Sequence, residues 1–210
     1  RVLEGKIKKY VFTSSGAVYD FGVDLPEQAF DPYTYHLEMV EQGEVSYGEG
    51  KRLAEAYFFQ KAPFPVVALR IPVVLGEEDY TERLLYYIKR IKEGKPVYFS
   101  NPEQKLRFIH QKEAGDFLAW VAETPYEGPI NACAEGPITM KELMEMIGTV
   151  VGKEPIITTE DDQIPSEYDY GQSRYMSTEK ASQLGYQFTI LRDWLPDLIA
   201  YLNRNIHFVK

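Results

Sequence analysis

Two stretches decide how this chain reads: Tyr10-Val11-Phe12-Thr13-Ser14-Ser15-Gly16-Ala17-Val18-Tyr19 and Ser46-Tyr47-Gly48-Glu49-Gly50-Lys51. The first is a short apolar run that ends in hydroxyls and a glycine, which predicts a strand followed by a turn. In the second, Ser46 with Glu49 three residues on is a capping-box pattern, which predicts a helix from Tyr47 to about Lys61. A spacing of four places Tyr47 and Lys51 on one face of that helix. Gly48 and Gly50 each cost a helix up to ~1 kcal/mol against alanine. Their presence at its start predicts close approach by another part of the chain.

Working outward, 16–45 reads as loop, with Pro26 and Pro32 as breakers and a helical turn expected over Tyr35–Gln42. Val66-Val67-Ala68-Leu69-Arg70-Ile71 is apolar almost throughout, as strands of parallel sheets are. A helix is expected over Glu82–Lys92, short strands over Pro96–Phe99 and Arg107–His110, and a helix over Lys112–Glu123. A strand follows over Pro129–Cys133. Thr139 with Glu142 is a second capping box, opening a helix that Gly152 stops. A strand over Pro155–Thr159, an acidic loop over Glu160–Ser173 and helices near Thr178–Leu184 and Leu191–Asn203 complete the chain. Strands alternating with helices predict an α/β fold with a parallel sheet. The short strands and many tyrosines after Pro72 predict a second, smaller lobe.

The 210 residues are 44% hydrophobic and 14% aromatic, enough for a sizeable core. No apolar run approaches the roughly 20 residues of a membrane helix. No signal-peptide pattern opens the chain. One cysteine, Cys133, excludes an internal disulfide and fits a reducing, cytoplasmic setting. A net charge of −9 argues against a nucleic-acid partner. The acidic side chains between Asp20 and Glu55 are expected to form a solvated face. His36, His110 and His207 lack ligand spacing, so no metal site is expected. Cys133 is expected in the core. The opening Arg1–Lys6 has the look of a helix tail, as if excised from something longer.

A free tyrosine ionises near pH 10, and a neighbouring ammonium favours the phenolate. A tyrosine with a lysine one turn away can therefore trade a proton with a hydroxyl or carbonyl. Ser15, at the C-terminal end of a strand where α/β sheets bind ligands, could hydrogen-bond the same oxygen. The pairing alone is weak, because 16 tyrosines and 14 lysines yield about one Tyr-x-x-x-Lys by chance. There are two, and the second, Tyr57/Lys61, lies beside Phe58 and Phe59 and reads as packing. The plain alternative for the first is a surface tyrosine, a solvated lysine and a strand-end cap.

Together with Leu69-Arg70-Ile71-Pro72-Val73-Val74-Leu75-Gly76, Arg107-Phe108-Ile109-His110 and Asn131 followed by Thr139–Ile147, these stretches resemble the extended short-chain dehydrogenases/reductases. This is the NAD-dependent epimerase/dehydratase family. The resemblance implies a partial Rossmann-like parallel sheet over 1–78, with 110–135 returning to it. It implies a smaller α+β substrate-binding lobe over 79–109 and 136–210. It further implies NAD or NADP as cofactor and hydride transfer at a secondary alcohol or ketone of a small molecule, sugars and nucleotide-sugars included. Ser15, Tyr47 and Lys51 would be catalytic. Ser14, Tyr47, Lys51, Pro72, Val73 and Val74 would bind cofactor, and Arg107 would bind substrate phosphate. In the family the Tyr47 helix packs in a dimer interface, which implies a homodimer through Tyr47–Lys61 or association through an open sheet edge.

The sequence departs from the family pattern in several places. No Gly-x-x-Gly-x-x-Gly turn for the pyrophosphate occurs in it. It therefore matches the C-terminal two-thirds of a member, and the 210 residues alone are expected to be inactive and to bind NAD poorly. Val73 stands where nucleotide-sugar members carry Asn. Ser-Gly-Ala stands where 4,6-dehydratases carry Thr-Asp-Glu, which argues against a dehydratase. Tyr47 follows Ser15 by 32 residues, somewhat long for the group. A rival of another class is a catalytically silent relative that senses a nucleotide or partner. Ser15, Tyr47 and Lys51 together speak against it.

Overall fold

The computed structural model describes residues 3–41, 43–160 and 163–206. Its elements in chain order are β1 (Tyr10–Ser15), β2 (Gly22–Leu25), α1 (Tyr47–Lys61), β3 (Val66–Ile71), β4 (Val73–Leu75) and α2 (Arg83–Glu93). There follow β5 (Val97–Tyr98), β6 (Lys105–Leu106), β7 (Phe108–His110), α3 (Gln111–Glu123) and β8 (Gly128–Asn131). The last are β9 (Ile138–Thr139), α4 (Met140–Val151), β10 (Ile157–Thr158), β11 (Arg174–Met176), α5 (Glu179–Gln183) and α6 (Leu191–Arg204). The chain divides into one unit of Arg1–Pro72, Lys112–Cys133 and Met176–Phe188, and another of the remaining segments. The expected boundary after residue 78 thus falls after Pro72. Met176–Phe188, expected in the lobe, belongs to the first unit.

In the first unit β1, β3 and β8 form a parallel sheet in that order. The register runs from Tyr10↔Val66 to Ser15↔Ile71, and from Val67↔Gly128 to Arg70↔Asn131. Val66 to Leu69 of the central strand are buried, each large side chain contributing about 1.5–3 kcal/mol. Parallel neighbours need a crossover, and α1 provides it between β1 and β3. Phe117 and Val121 of α3 are also buried, with Tyr186 and Phe188 at 4.6 and 4.8 Å ring separation from Phe117. Cys133 is buried, as expected.

The loop between β1 and α1 is more ordered than its sequence suggests. It holds β2 and 3-10 turns at Gly16–Val18 and Glu27–Ala29. No helical turn forms over 35–41, and Gln42 lies outside the described residues. The backbone there is held from α1 instead: Gln60 donates to the carbonyls of Pro32 and Tyr35 at 3.0 and 2.8 Å. Residues 3–6 form a turn closed by a Lys6 N–H to Leu3 carbonyl bond, and Arg1 and Val2 of the expected helix tail lie outside the described residues.

In the second unit α2, α4 and α6 pack around Leu85, Ile88, Leu143, Ile147, Leu195 and Ile199. β4 pairs with β7 and β5 with β10, both parallel, while β6 and β9 are antiparallel. The Thr139–Glu142 capping box is complete, and Gly152 closes α4 at a φ of 77°.

Candidate active site

The site is built on the C-terminal end of β1 and the first turns of α1. Ser46 caps α1, its Oγ accepting from the Glu49 N–H at 3.2 Å. The reciprocal arm of the expected capping box does not form. The Glu49 carboxylate instead accepts from the Tyr35 hydroxyl at 2.8 Å and lies 3.5 Å from Arg52. Burial and that carboxylate hold the Tyr35 phenol above its ordinary range.

Gly48 is where the close approach occurs. A Cβ on it would lie 2.6 Å from the Ala17 carbonyl oxygen, whereas one on Gly50 would meet nothing nearer than Val45 at 3.9 Å. Arg52 ties the same surfaces together, donating from Nε to the Val18 carbonyl at 2.7 Å and from Nη2 to Asp20 at 2.8 Å. The first turn of α1 is thereby held against the turn that follows Ser15.

Lys51 Nζ donates to the Thr13 carbonyl at 2.9 Å. It lies 5.1 Å from the centre of the Phe12 ring and 5.6 Å from that of Tyr47. An ammonium over a ring face is attracted by its negative π-cloud. The Tyr47 side chain is 67% exposed. Ser15 Oγ accepts from the Ala17 N–H at 3.1 Å, so its own hydrogen remains available to donate. The ammonium has three donors and spends one on Thr13. Lys51, the Tyr47 phenol and the Ser15 hydroxyl therefore fit the hydroxyls of a ribose and an oxygen that gains or loses a proton. A pyrophosphate cradle is not among them.

Ser14 behaves differently from the expectation. Its side chain is buried and its hydroxyl donates to Glu55, so the hydroxyl points into the core. Glu55 and Arg70 are both fully buried and form a forked ion pair, Nε to Oε1 at 3.0 Å and Nη2 to Oε2 at 2.6 Å. The other guanidinium hydrogens go to the Tyr19 hydroxyl, Glu27 carbonyl and Phe30 carbonyl at 2.7, 2.8 and 3.1 Å. All five N–H donors of Arg70 are thus satisfied. Breaking such a pair from one side costs about 3–5 kcal/mol. The Tyr19 hydroxyl donates to Asn131 Oδ1 at 2.7 Å, and the Asn131 N–H donates to the buried Glu27 carboxylate at 2.9 Å. Burial pushes the Tyr19 phenol up, against the pull of Arg70. Glu27 and Glu55 thus leave the expected solvated acidic face, while Asp20, Glu38, Glu41 and Glu44 are exposed.

The sequence reading missed this network. Its signal was Arg70 inside an otherwise apolar strand, since a buried arginine demands a partner. Tyr57, read as packing, is 47% exposed, whereas Phe58 packs against Tyr10 and Phe12 at 5.0 Å and Phe59 against Tyr33 at 4.9 Å, each pair tilted.

Pro72 ends the first segment of the first unit. Val73 and Val74 lie in the second unit on β4, paired with Phe108 and Ile109. Arg107, also in the second unit, is no surface arginine. Its side chain is 11% exposed, 3.4 Å from Glu135, with the guanidinium 5.2 Å from the Tyr175 ring. Among the described residues no group of three His, Cys, Asp or Glu could hold a metal, and no helix is long and apolar enough to cross a membrane. His207 lies outside the described residues.

A UDP-glucose 4-epimerase from Thermotoga maritima, solved with UDP-glucose, superposes with a TM-score of 0.71 at 19% identity over 96% of this chain and 65% of its own. For a UDP-glucuronic acid 4-epimerase from Bacillus cereus in complex with NAD the values are 0.70, 20%, 98% and 63%. For a GDP-mannoheptose C4 reductase from Campylobacter jejuni with NADP bound they are 0.64, 18%, 94% and 67%. The chain thus spans less than two thirds of the length of both epimerases. At these identities the likeness shows a shared Rossmann-like α/β fold. The comparison with curated proteins found no match. The model of the NAD dependent epimerase/dehydratase family matches residues 2–133, more than half of the sequence, and the chain belongs to that family.

Proposed function

We propose that the protein is an NAD- or NADP-dependent oxidoreductase or epimerase acting at a secondary alcohol or ketone, with Tyr47 as the proton donor and acceptor. The observation that carries this reading is the seat of Lys51, bonded to the Thr13 carbonyl at 2.9 Å and 5.6 Å from the Tyr47 ring centre. The ammonium fixed there and the exposed Tyr47 phenol lie together at the end of β1, where a reacting oxygen can be bound. Ser15 donates its hydroxyl hydrogen to the reacting oxygen and orients it. Lys51 also offers donors to a cofactor ribose. The bound nicotinamide would supply the hydride chemistry.

The backbone of Pro72, Val73 and Val74 is proposed to border the nicotinamide. The Ser14 hydroxyl is bonded to Glu55 and is not proposed to contact the cofactor. Arg107 is the proposed contact for a substrate phosphate, its planar fork suiting bidentate binding. A sugar or nucleotide-sugar substrate is supported by the UDP-glucose bound to the Thermotoga enzyme. We place the protein in the cytoplasm, as a homodimer or self-associating species.

Absorbance of the reduced nicotinamide, followed with NAD and NADP across a panel of sugars, nucleotide-sugars and simple ketones, tests the reading. Turnover with at least one member is expected from the full-length protein, and none from the 210 residues alone. Binding of cofactor without turnover on any of them would favour a silent, ligand-sensing relative.

A further inference from the structure

We infer that Glu55 and Arg70 are positioning residues for Tyr47, an inference that rests on the acid–base role proposed above. Tyr47, Lys51 and Glu55 follow one another at intervals of four along α1 and so share one side of it. Only Leu53, Glu55 and Ala56 of this helix are buried. Apolar burial is non-directional, so one leucine and one alanine do not by themselves set the rotation of the helix. Directional bonds have to set its register.

The Glu55 carboxylate supplies them. It receives the Ser14 hydroxyl from β1 and the Arg70 fork from β3, and Ser14 and Arg70 are register partners on adjacent strands. Glu55 thereby straddles both strands one residue before Ser15. One helical turn earlier Lys51 meets Thr13 on the same strand end. Tyr47, largely exposed, has little packing of its own and takes its position from this clamp together with the Gly48 and Arg52 contacts of the first turns. Arg70 is itself immobilised by Tyr19, Glu27 and Phe30, so the clamp is rigid on the sheet side.

The test separates positioning from stability. Replacing a buried ion pair by apolar side chains of similar size is often neutral for stability. The double variant Glu55→Leu/Arg70→Met is therefore expected to melt close to the wild type. Amide hydrogen exchange over 47–53 is nevertheless expected to rise about tenfold. Its kcat is expected to fall about 100-fold with KM little changed, the effect of a small misplacement of a reacting group. Wild-type exchange over 47–53, or raised exchange with unchanged kcat, would overturn the inference. If the double variant does not fold, Glu55→Gln, which keeps the shape and removes the charge, is judged by the same two readouts. The exchange needs neither substrate nor cofactor. A separate Tyr47→Phe variant that retained full turnover would remove the acid–base reading, and with it the role assigned to the clamp, whatever the exchange showed.

Discussion

A Cβ placed on Gly48 would lie 2.6 Å from the carbonyl oxygen of Ala17. Helix propensity alone favours alanine there by about 1 kcal/mol. The backbone oxygen cannot give way as a flexible side chain would. Gly48→Ala is therefore expected to destabilise by about 1–3 kcal/mol, the usual cost of overpacking. Gly50→Ala, facing only Val45 at 3.9 Å, should instead stabilise by about 0.4–1 kcal/mol. Urea unfolding of the two variants checks the contrast. A stabilised Gly48→Ala would show that α1 does not sit against the Ser15 turn.

Lys51→Met keeps an unbranched stem above Phe12 and removes the ammonium. Turnover is expected to fall at least about 100-fold, the lower end of what a positioned proton-transfer group contributes. The circular dichroism melt should move by only a few degrees. Steady-state kinetics with the substrate found in the panel above reads the result, and a loss under threefold would contradict the role given to Lys51.

Buried tyrosines predict the response to alkali. Burial raises the phenol of Tyr87 from 10.0 to about 12, and burial also raises those of Tyr19, Tyr126 and Tyr168. A group whose folded value lies above its unfolded one contributes stability that is fully present below the unfolded value. That stability is lost as pH rises through the folded value. Stability should thus decline between pH 10 and about 12. An ultraviolet titration should show exposed phenols ionising first, then a steep phase that coincides with loss of the far-ultraviolet dichroism. All 16 tyrosines ionising together with the dichroism intact would contradict it.

Self-association is expected through α1 or the open side of β1. Among the described residues β1 pairs on one side only, with β3, and such an edge is a template for pairing. Besides Tyr47, Tyr57 is an exposed aromatic of α1. Light scattering should give a dimer or larger species, and Tyr57→Glu should lower the mass if the helix carries the contact. A monomer at micromolar concentration would rule the proposal out.

The strands and helices that position the site were legible because their signals are local. Ser46 and Thr139 announce their helices three residues ahead of an acidic partner, and Val66–Leu69 has the unbroken apolar character of a central parallel strand. The glycine at 48 announced its close contact through its cost. What stayed hidden was relational. Whether Glu49 would turn back to its own cap or out to Tyr35 depends on a loop whose path no short-range rule fixes. Glu55 and Glu27 looked like members of an acidic surface because their partners, Arg70 and Asn131, lie 15 and 104 residues away. Ser14 and Ser15 are adjacent, and strand alternation alone sends one to the core and leaves the other at the surface.

Replacing Tyr47 by phenylalanine tests the central claim most directly, because it deletes one oxygen from an exposed ring and leaves the helix, its cap and Lys51 in place. With the substrate identified in the panel, Tyr47→Phe is expected to lose turnover by about 100- to 10,000-fold with an unchanged melting temperature. Turnover equal to that of the wild type would contradict the assignment of Tyr47 as the acid–base group.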